Sequence, residues 1–480
     1  MRATEAIAWT SIFPYVYDMV RSMDEVDDAQ IPYYAGLLIS VYTFAEFLSG
    51  ILWAKVSDHI CRRATLLIGS VCGMTTAISF GFSRSIAFAT AARAFGGLFN
   101  PNVGIVQTCV AESVHHKEQQ VKAFSFVTFI RTLGNLIGPI LGGFLANPVL
   151  LYPSLFPQHS VWAEYKFLLP NLVVASLQVI SFATAFLFLL ETHQGMLKRS
   201  GLGLEIGSRI VRCIMGKCTG QPSRGESSGY VPLENIPADV ELQDIHAEED
   251  YESRSAPQPT PWMKIPSKQS LLQILAVGLL AFHKVSSDAL MPAFLAAPTA
   301  LPHDSTSSHE RSPFDPAGGF GYSSHQVGLI LLSQAIVAVI MQATVVPLAV
   351  GKLGALKAYR IAVGIYPTMY VLTPFLPNLE SPLPTLLVTL DLWAKVLLSS
   401  VGYICSAILI TNTTADKGDL AFVNGASASF SCLTRSAGPL ITGKLFALGL
   451  RAGFPFIAFW TLGLVALIEF VESFMLVEHS

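Results

Sequence analysis

The sequence predicts an all-α integral membrane protein with twelve transmembrane helices arranged as two six-helix bundles. Hydrophobic residues make up 52% of the 480 residues, whereas charged residues make up only 13%. Soluble globular domains carry about 25% charged residues. The chain therefore has too few charges to cover a soluble protein of this size, and helices that face lipid explain the missing charge.

A helix that crosses a bilayer needs about 20 largely apolar residues. The sequence contains twelve such runs, at positions 5–22, 31–54, 64–82, 86–111, 121–147, 166–190, 269–296, 324–349, 357–376, 383–413, 420–448 and 453–477. The run at 86–111 contains Arg93, and the run at 383–413 contains Asp391 and Lys395, but each is otherwise apolar. The first run begins close to Met1 without the pattern of a signal peptide, and the sequence leaves open whether this span is complete.

The loops between these spans differ in charge. One set carries the basic residues Lys55, Arg62, Arg63, Lys117, Lys122, Lys352, Lys357, Arg360 and Lys417. The opposite set carries the acidic residues Asp24, Glu25, Asp27, Asp28, Glu164 and Glu380. Because basic loops remain on the cytoplasmic side of a membrane, we expect both chain termini in the cytoplasm. The plasma membrane and the vacuolar membrane are both candidates.

Residues 191–268 interrupt the pattern of spans. They are polar, rich in Gly, Ser and Pro, and carry many acidic residues, which is typical of disordered segments. We predict a disordered cytoplasmic linker here, between an N-terminal six-helix bundle at 1–190 and a C-terminal six-helix bundle at 269–480. A plain tether is the simplest role, and regulation through the serines is the alternative.

The fifth span carries small residues on one helical stripe, together with a proline. These residues are Gly134, Gly138, Pro139, Gly142 and Gly143. Small residues let a neighbouring helix approach closely, and a proline bends a helix. Ordinary tight packing is the alternative to a specific function. The eleventh span repeats part of the pattern in Gly438-Pro-Leu-Ile-Thr-Gly443, and internal repeats of this kind are typical of secondary transporters.

The loop between the second and third spans combines charges with helix ends. Asp58, Arg62 and Arg63 lie within the segment 53–63. A carboxylate can accept hydrogen bonds from a helix N-terminus or from a basic partner, so these residues can form a lock at this end of the bundle. A basic loop that only sets the orientation is the alternative.

Charged residues inside the predicted spans are the candidates for proton coupling and for the substrate cavity. They are Glu5, Glu46, Arg93, Arg131, Lys284, Asp288, Asp391, Lys395 and Arg435. A charge at mid-membrane costs about 2.5–3.5 kcal/mol on insertion scales, so we expect these side chains to face a cavity or a partner. The seventh and tenth spans each hold an oppositely charged pair spaced i,i+4, which can form a salt bridge. For Arg93 the alternative is a side chain that extends to the membrane surface.

These patterns resemble the major facilitator superfamily. The fifth-span stripe resembles the antiporter motif of its proton-coupled exporters. The segment Arg93-Ala-Phe-Gly-Gly97 resembles the motif in which a fourth-helix arginine assists proton transfer. The segment 53–63 resembles the cytoplasmic gating signature of the family, from which it departs at Ala54, His59 and Cys61. The resemblance implies the gate residues Asp58, Arg62 and Arg63.

The segments 102–112 and 318–330 are similar to fungal drug:proton antiporters, a group related to zinc-induced-facilitator-like proteins. The resemblance implies the major facilitator fold, alternating access, and proton-coupled efflux of drugs or secondary metabolites. The implied partners are a small-molecule substrate, protons and the lipid bilayer, and we expect a monomer. A proton-coupled importer of a nutrient or siderophore, and a receptor that signals without transport, are the alternatives.

Several other functions find no support in the sequence. The net charge of −3 argues against a nucleic-acid partner. The segment Gly438–Leu445 resembles a nucleotide-binding loop but lacks the final Ser or Thr and the preceding strand. We see no nucleophile constellation and no spacing typical of metal ligands. We therefore predict that the protein is not an enzyme, has no catalytic or metal-binding residues, and uses a proton gradient instead of a cofactor.

Overall fold

The computed structural model describes residues 1–23, 26–101, 105–106, 109–110, 117–192, 206–207, 268–299, 318–380, 382–413 and 417–477. Within these ranges all regular secondary structure is helical. The predicted linker at 191–268 lies almost entirely outside the described residues, so the domain boundaries remain predictions.

The described part of the N-terminal half contains seven helices of six residues or more. They are α1 (Arg2–Thr10), α2 (Val16–Arg21), α3 (Ile31–Ile60), α4 (Arg62–Gly81), α5 (Ile86–Leu98), α6 (Lys117–Leu145) and α7 (Leu168–Phe188). A 3-10 turn at Asp28–Gln30 precedes α3, and the single helical turns Pro148–Leu151 and Val161–Glu164 lie between α6 and α7.

Six helices are found in the part of the C-terminal half that the structure describes. They are α8 (Lys268–Ala296), α9 (Ser324–Leu353), α10 (Ala355–Leu372), α11 (Leu383–Thr413), α12 (Lys417–Ala452) and α13 (Phe456–Ser473). A 3-10 segment, Thr373–Asn378, continues α10. Each of the twelve predicted spans corresponds to one helix or, for the first span, to α1 and α2 together.

Two predicted spans differ from the observed helices. The first span is broken into α1 and α2 by a turn at residues 11–15, which contains Pro14. The fourth span was predicted to run to residue 111, but α5 ends at Leu98, shortly before Pro101. In both places a proline cannot donate a backbone hydrogen bond and disfavours the helical conformation of the residue before it.

Seven helical segments in the described part of the chain are long and apolar enough to cross a membrane by themselves. They are Asp28–Gly50, Arg62–Gly81, Leu168–Phe188, Lys268–Ala296, Ser324–Gln342, Leu383–Ile410 and Phe456–Ser473. Shorter apolar stretches include Ile86–Leu98 and Ile130–Leu145. The other spans are therefore less apolar or interrupted, which is tolerated where a helix packs against protein instead of lipid.

Equivalent helices pack in the same way in the two halves. In the N-terminal half, α1 packs on α6, α3 on α5, and α4 on α7. In the C-terminal half the corresponding pairs are α8 with α12, α9 with α11, and α10 with α13. The two halves meet mainly through α3 with α12 and through α6 with α9. The two halves are therefore related by an internal repeat and meet at one boundary. In secondary transporters built from such repeats, the substrate binds near this boundary.

Candidate functional site

Three of the motif glycines pack α6 tightly against α1. A Cβ atom built on Gly134 would lie only 2.5 Å from the carbonyl oxygen of Ala3. A Cβ atom built on Gly138 would overlap Thr10 at the end of α1, and one built on Gly142 would overlap Ser11, which directly follows α1. The two helix backbones therefore approach so closely that no larger residue fits on this stripe.

The fourth motif glycine faces the other half of the molecule. A Cβ atom built on Gly143 would lie 2.6 Å from the Cα atom of Gly328 in α9. The second contact between the halves is also a close approach of a glycine to the backbone of the opposite helix. A Cβ atom on Gly443 in α12 would lie 2.6 Å from the carbonyl oxygen of Pro32 in α3. Gly36 approaches the backbone of Pro439 in the same contact. We call these two contacts the glycine seams.

The repeat between the fifth and eleventh spans is structural as well as sequential. In α6, Gly138 packs on Thr10 of the first span, and Gly143 packs on the opposite half. In α12, Gly438 packs on Ser286 of the seventh span, and Gly443 packs on the opposite half. In each case the first glycine joins two helices of one half and the second glycine joins the halves.

Both glycine seams lie toward the end of the molecule that holds residues 22–23, 26–30 and 453–455, which we call the closed end. Three further contacts join the halves there. The Ser324 hydroxyl donates to the Asp18 carboxylate. The ring centroids of Phe144 and His325 are 4.7 Å apart. An exposed salt bridge links Asp27 with Arg451 at 3.1 Å.

The predicted gate residues lie at the opposite end, where α3 meets α4. The backbone N–H groups of Arg62 and Arg63 donate to the two carboxylate oxygens of Glu191, at 3.0 and 3.1 Å. Glu191 therefore caps the N-terminus of α4 and joins it to the end of α7. The side chain of Arg62 donates to the Ser57 hydroxyl. The Asp58 side chain lies outside the described part of the structure.

Cys61 connects α3 with α4 in a backbone conformation that residues other than glycine rarely adopt. Its backbone angles are φ 119° and ψ 150°. This region is essentially restricted to glycine, and other residues there are strained by about 1–3 kcal/mol. The family signature has a glycine at this position, so the chain keeps the turn but carries a residue that strains it.

Charges from both halves converge near the middle of the long helices. Arg131 of α6 interacts electrostatically with Glu5 and Glu46 of its own half and with Arg435 of the other half. Its side chain is exposed although it lies in the middle of a span. Glu5 is also paired with Arg2 at 2.9 Å. We call Glu5, Glu46, Arg131 and Arg435 the central charge cluster.

Arg93 lies inside the N-terminal half, where aromatic rings surround it. Its guanidinium carbon is 4.3 Å from the ring centroid of Tyr42, 5.6 Å from that of Trp9 and 5.8 Å from that of Phe80. Its Nε atom donates to the carbonyl oxygen of Leu38 at 3.1 Å. Cation–π contacts of this kind stabilise a charge that has lost water. The side chain is only 5% exposed and does not extend to the membrane surface.

A small cavity lies beside Arg93, with a volume of about 50 Å³. Its lining includes Glu5, Trp9, Tyr42, Asn171 and Gln178. The Nη2 atom of Arg93 has no hydrogen-bond partner among the described residues. Arg93 therefore faces a cavity, as expected of a charge inside a span, but a small one within the N-terminal half.

Two ion pairs lie inside the C-terminal half. Lys395 donates to Asp391 at 2.6 Å and to the Thr373 hydroxyl at 2.7 Å, and both charged side chains are buried. Lys284 donates to Asp288, whose side chain is more open, at 36% exposure. Each pair bridges one turn of its own helix, with the i,i+4 spacing.

The comparison with known proteins identifies the family. The profile of the Major Facilitator Superfamily matches residues 3–282. The chain belongs to this superfamily. The major facilitator superfamily multidrug transporter mfsB of Aspergillus fumigatus is 36% identical, over 100% of this chain and 82% of its own length. The protein ZINC INDUCED FACILITATOR 1 of Arabidopsis thaliana is 23% identical, over 91% of this chain and 80% of its own length.

Solved transporter structures share the fold. A bacterial homologue of the human lysosomal transporter Spinster, in its inward-facing and unoccupied conformation, has a TM-score of 0.63 at 13% identity and covers 99% of this chain and 94% of its own. The inward-open xylose transporter XylE from E. coli has a TM-score of 0.61 at 12% identity and covers 100% of this chain and 95% of its own. The chain is therefore an integral membrane transporter of small molecules, and not an enzyme.

Some polar residues of this transporter were not among the sequence candidates. Glu469 and Glu472 lie in α13, inside the apolar run at 453–477, and both are buried. Glu469 bonds to His283 of α8. The signal was present in the sequence, because a carboxylate inside a span is expensive and needs a partner. The capping role of Glu191 had no such signal, since it depends on where the end of α7 lies relative to α4.

Proposed function

We propose that this transporter exports small, mostly apolar organic compounds in exchange for protons, by alternating access. The observation that carries the proposal is the central charge cluster. Glu46 lies within electrostatic range of Glu5, of Arg131 in its own half and of Arg435 in the other half, and Glu5 lies within range of Arg131. A carboxylate that gains or loses a proton changes its attraction to these arginines, and this change can alter how the halves pack.

The direction of transport is supported by two further features. The antiporter motif, Gly134 to Gly143, forms the close packing of α6 on α1 and one of the glycine seams. Relatives include a protein named multidrug transporter and one named efflux pump azaK, of Aspergillus niger, which is 28% identical over 40% of this chain.

We further propose that the closed end faces away from the cytoplasm and that both termini are cytoplasmic. The basic loops at the opposite end support this orientation. The molecule would then be in an inward-facing state, ready to accept a substrate from the cell. It would act as a monomer in the plasma or vacuolar membrane, with the proton gradient as its energy source and no cofactor.

The first test is export of the fluorescent cation ethidium from yeast that lacks its own exporters. Cells that express the chain should export ethidium, and a protonophore should abolish export. Glu46→Gln and Arg93→Ala should each remove protonophore-sensitive export from protein that still reaches the membrane. Glu164→Gln is the matched control, because Glu164 pairs with Arg84 on the exposed surface and lies far from the cluster.

Three outcomes would contradict the proposal. Export that a protonophore does not affect would contradict proton coupling. Accumulation of the probe inside the cells would indicate an importer. Probe binding without exchange of bound for external probe would indicate a receptor. The variant Pro139→Leu tests the motif separately, since normal export by this variant would remove the motif from the mechanism.

A further inference from the structure

A hydrogen-bonded cluster lies inside the C-terminal half, away from the central charge cluster. Its centre is His283 of α8, whose Nε2 atom lies 2.6 Å from Oε2 of Glu469 in α13. The Nδ1 atom of His283 lies 3.0 Å from the hydroxyl of Tyr370 in α10. Tyr359 donates to Oε1 of Glu469 at 2.7 Å. All four side chains are fully buried. We call them the His283 cluster.

The contacts of the His283 cluster fit two protonation states that differ by one proton. In the first state, neutral His283 donates from Nε2 to the Glu469 carboxylate, and Nδ1 accepts from the Tyr370 hydroxyl. In the second state, the imidazolium donates from both nitrogens, and the Tyr370 hydroxyl donates to the carbonyl oxygen of His283, which lies 3.3 Å away. Uptake of the proton forms one N–H bond at Nδ1 and rotates one hydroxyl, and no other bond changes.

The second state removes the net charge from the cluster. In the first state, one carboxylate charge is buried without a cation among its direct partners. In the second state, this charge is paired with the imidazolium. A buried charge is costly unless it is paired and hydrogen-bonded. Histidine is also the side chain whose charge changes most readily near neutral pH. The cluster therefore has the composition of a reversible proton-binding site.

A second carboxylate connects the cluster with the end of α13. Glu472 lies one turn beyond Glu469, next to the C-terminal residue of the helix, Ser473. It is 6% exposed, and neither of its oxygen atoms has a hydrogen-bond partner among the described residues. Two neighbouring buried carboxylates repel one another when both are ionised. Glu472 is therefore placed to exchange a proton between Glu469 and the end of the molecule opposite the closed end, where the basic loops lie.

The other side of the cluster faces the ion pairs of α8 and α11. The ring of Tyr366 packs 4.8 Å from that of His283, and its hydroxyl donates to the carbonyl oxygen of Lys395 at 2.7 Å. The Nζ atom of Lys395 lies 5.0 Å from the ring centroid of Tyr370. In an interior that screens charges weakly, a proton gained by His283 changes the field at these ion pairs.

The charged and titratable groups around His283 lie on α8 itself and on α10, α11, α12 and α13. On α8 itself they are Lys284 and Asp288. On α10 they are Tyr359, Tyr366 and Tyr370. On α11 they are Asp391, Lys395 and Tyr403. On α13 they are Glu469 and Glu472, and α12 contributes Arg435, which interacts with Tyr403.

We propose that His283 and Glu469 form a second proton-binding site of the transporter, distinct from the central charge cluster, which exchanges its proton through Glu472. The role of this site in transport rests on the proposed proton coupling. The binding of the proton itself is independent of the transported substrate. The site adds one proton to the transport cycle, bound within the C-terminal half, while the carboxylates of the central cluster serve the boundary between the halves.

The test compares His283→Gln and Glu469→Gln with the wild-type protein. The control is Thr461→Val on the same helix as Glu469, which removes the hydroxyl bond to the carbonyl oxygen of Ile457 and leaves the His283 cluster unchanged. Purified, monodisperse proteins are titrated between acidic and neutral pH, and the bound protons are counted. The same proteins in liposomes are then assayed for ethidium accumulation driven by a proton gradient and for ethidium exchange at equal pH.

The proposal predicts that His283→Gln and Glu469→Gln each bind one proton fewer than the wild type and the control. They should lose accumulation driven by the gradient, about 100-fold if the pair is a positioned proton-transfer group, and retain exchange. An unchanged proton count would overturn the site. Equal loss of accumulation and exchange would assign the cluster a structural role only. If the wild type shows no accumulation driven by the gradient, the proposed coupling fails, while the proton count still decides whether the site exists.

Discussion

Gly143 of α6 and Gly328 of α9 meet backbone to backbone across the boundary between the two halves, and a Cβ atom on Gly143 would lie 2.6 Å from the Cα atom of its partner. The contact joins the last residue of the antiporter motif, in α6, to α9, which carries no residue of the motif. The same relationship recurs between α12 and α3. The two halves thus close one end of the molecule partly through backbone contacts, in addition to the side-chain contacts Ser324–Asp18, Phe144–His325 and Asp27–Arg451.

Gly143→Ala is expected to prevent complete closure of this end. The added methyl group has no space, and overpacking of this kind costs about 1–3 kcal/mol. Ethidium export should fall strongly while the amount of protein in the membrane stays normal. Gly351→Ala is the control, because a Cβ atom on Gly351 in α9 would meet nothing within 4 Å. Equal export by both variants would show that the seam can loosen without consequence.

The second seam gives a matching prediction. Gly36→Ala should also prevent closure, because its Cβ atom would overlap the carbonyl oxygen of Pro439. Gly50→Ala, on the same helix, has open space and should export normally. The double variant Gly36→Ala/Gly143→Ala should export no less than the more impaired single variant, since both changes block the same step. Additive losses would indicate that the seams act at different steps.

Cys61→Gly is expected to stabilise the protein. Glycine adopts the backbone angles of Cys61 without strain, and it loses part of this gain through the greater entropy of the unfolded chain. The free energy of unfolding should increase by about 1 kcal/mol, the difference between the relieved strain and the entropy of glycine. Thermal unfolding of the purified protein measures it. Cys61→Ala keeps the Cβ atom, so it should not gain stability.

Lys395 and Asp391 form a buried pair, so loss of either partner leaves one charge alone. Lys395→Met or Asp391→Asn should each lower the free energy of unfolding by about 3–5 kcal/mol. The double variant should lose less than the sum of the two. The exposed pair of Arg84 and Glu164 serves as the comparison, since Glu164→Gln should have no measurable effect on stability. A double variant that loses the full sum would show that the pair is not coupled.

The helical spans and the family followed from the sequence, because both depend on local patterns. The lack of charge across long apolar runs predicts helices that face lipid, whatever their neighbours are. The glycine stripe predicts close packing on one face of the fifth span. Breaks inside spans were harder to place, since Pro14 and Pro101 lie in runs whose hydropathy is otherwise continuous. Hydropathy averaged over a window does not detect the loss of one backbone donor.

The partners of the buried charges could not be predicted from the sequence. Arg93 was expected to face a cavity or the membrane surface, but no pattern indicated that Tyr42 and Trp9 would surround it. Glu469 and His283 are 186 positions apart in the sequence. A pairing of this kind depends on how α8 and α13 pack, and packing is decided by the whole bundle instead of by any one helix.

By itself, the sequence determined that this chain spans a membrane, that it has twelve spans in two related halves, and that it resembles proton-coupled exporters. These properties are local, because hydropathy, spacing and small-residue stripes act within a single helix or between neighbours in the chain. Only the tertiary structure decided which end of the molecule is closed, which glycines close it, and which charges meet in the central charge cluster and in the His283 cluster. Each of these properties depends on atoms that are distant in the chain and are brought together when the helices pack.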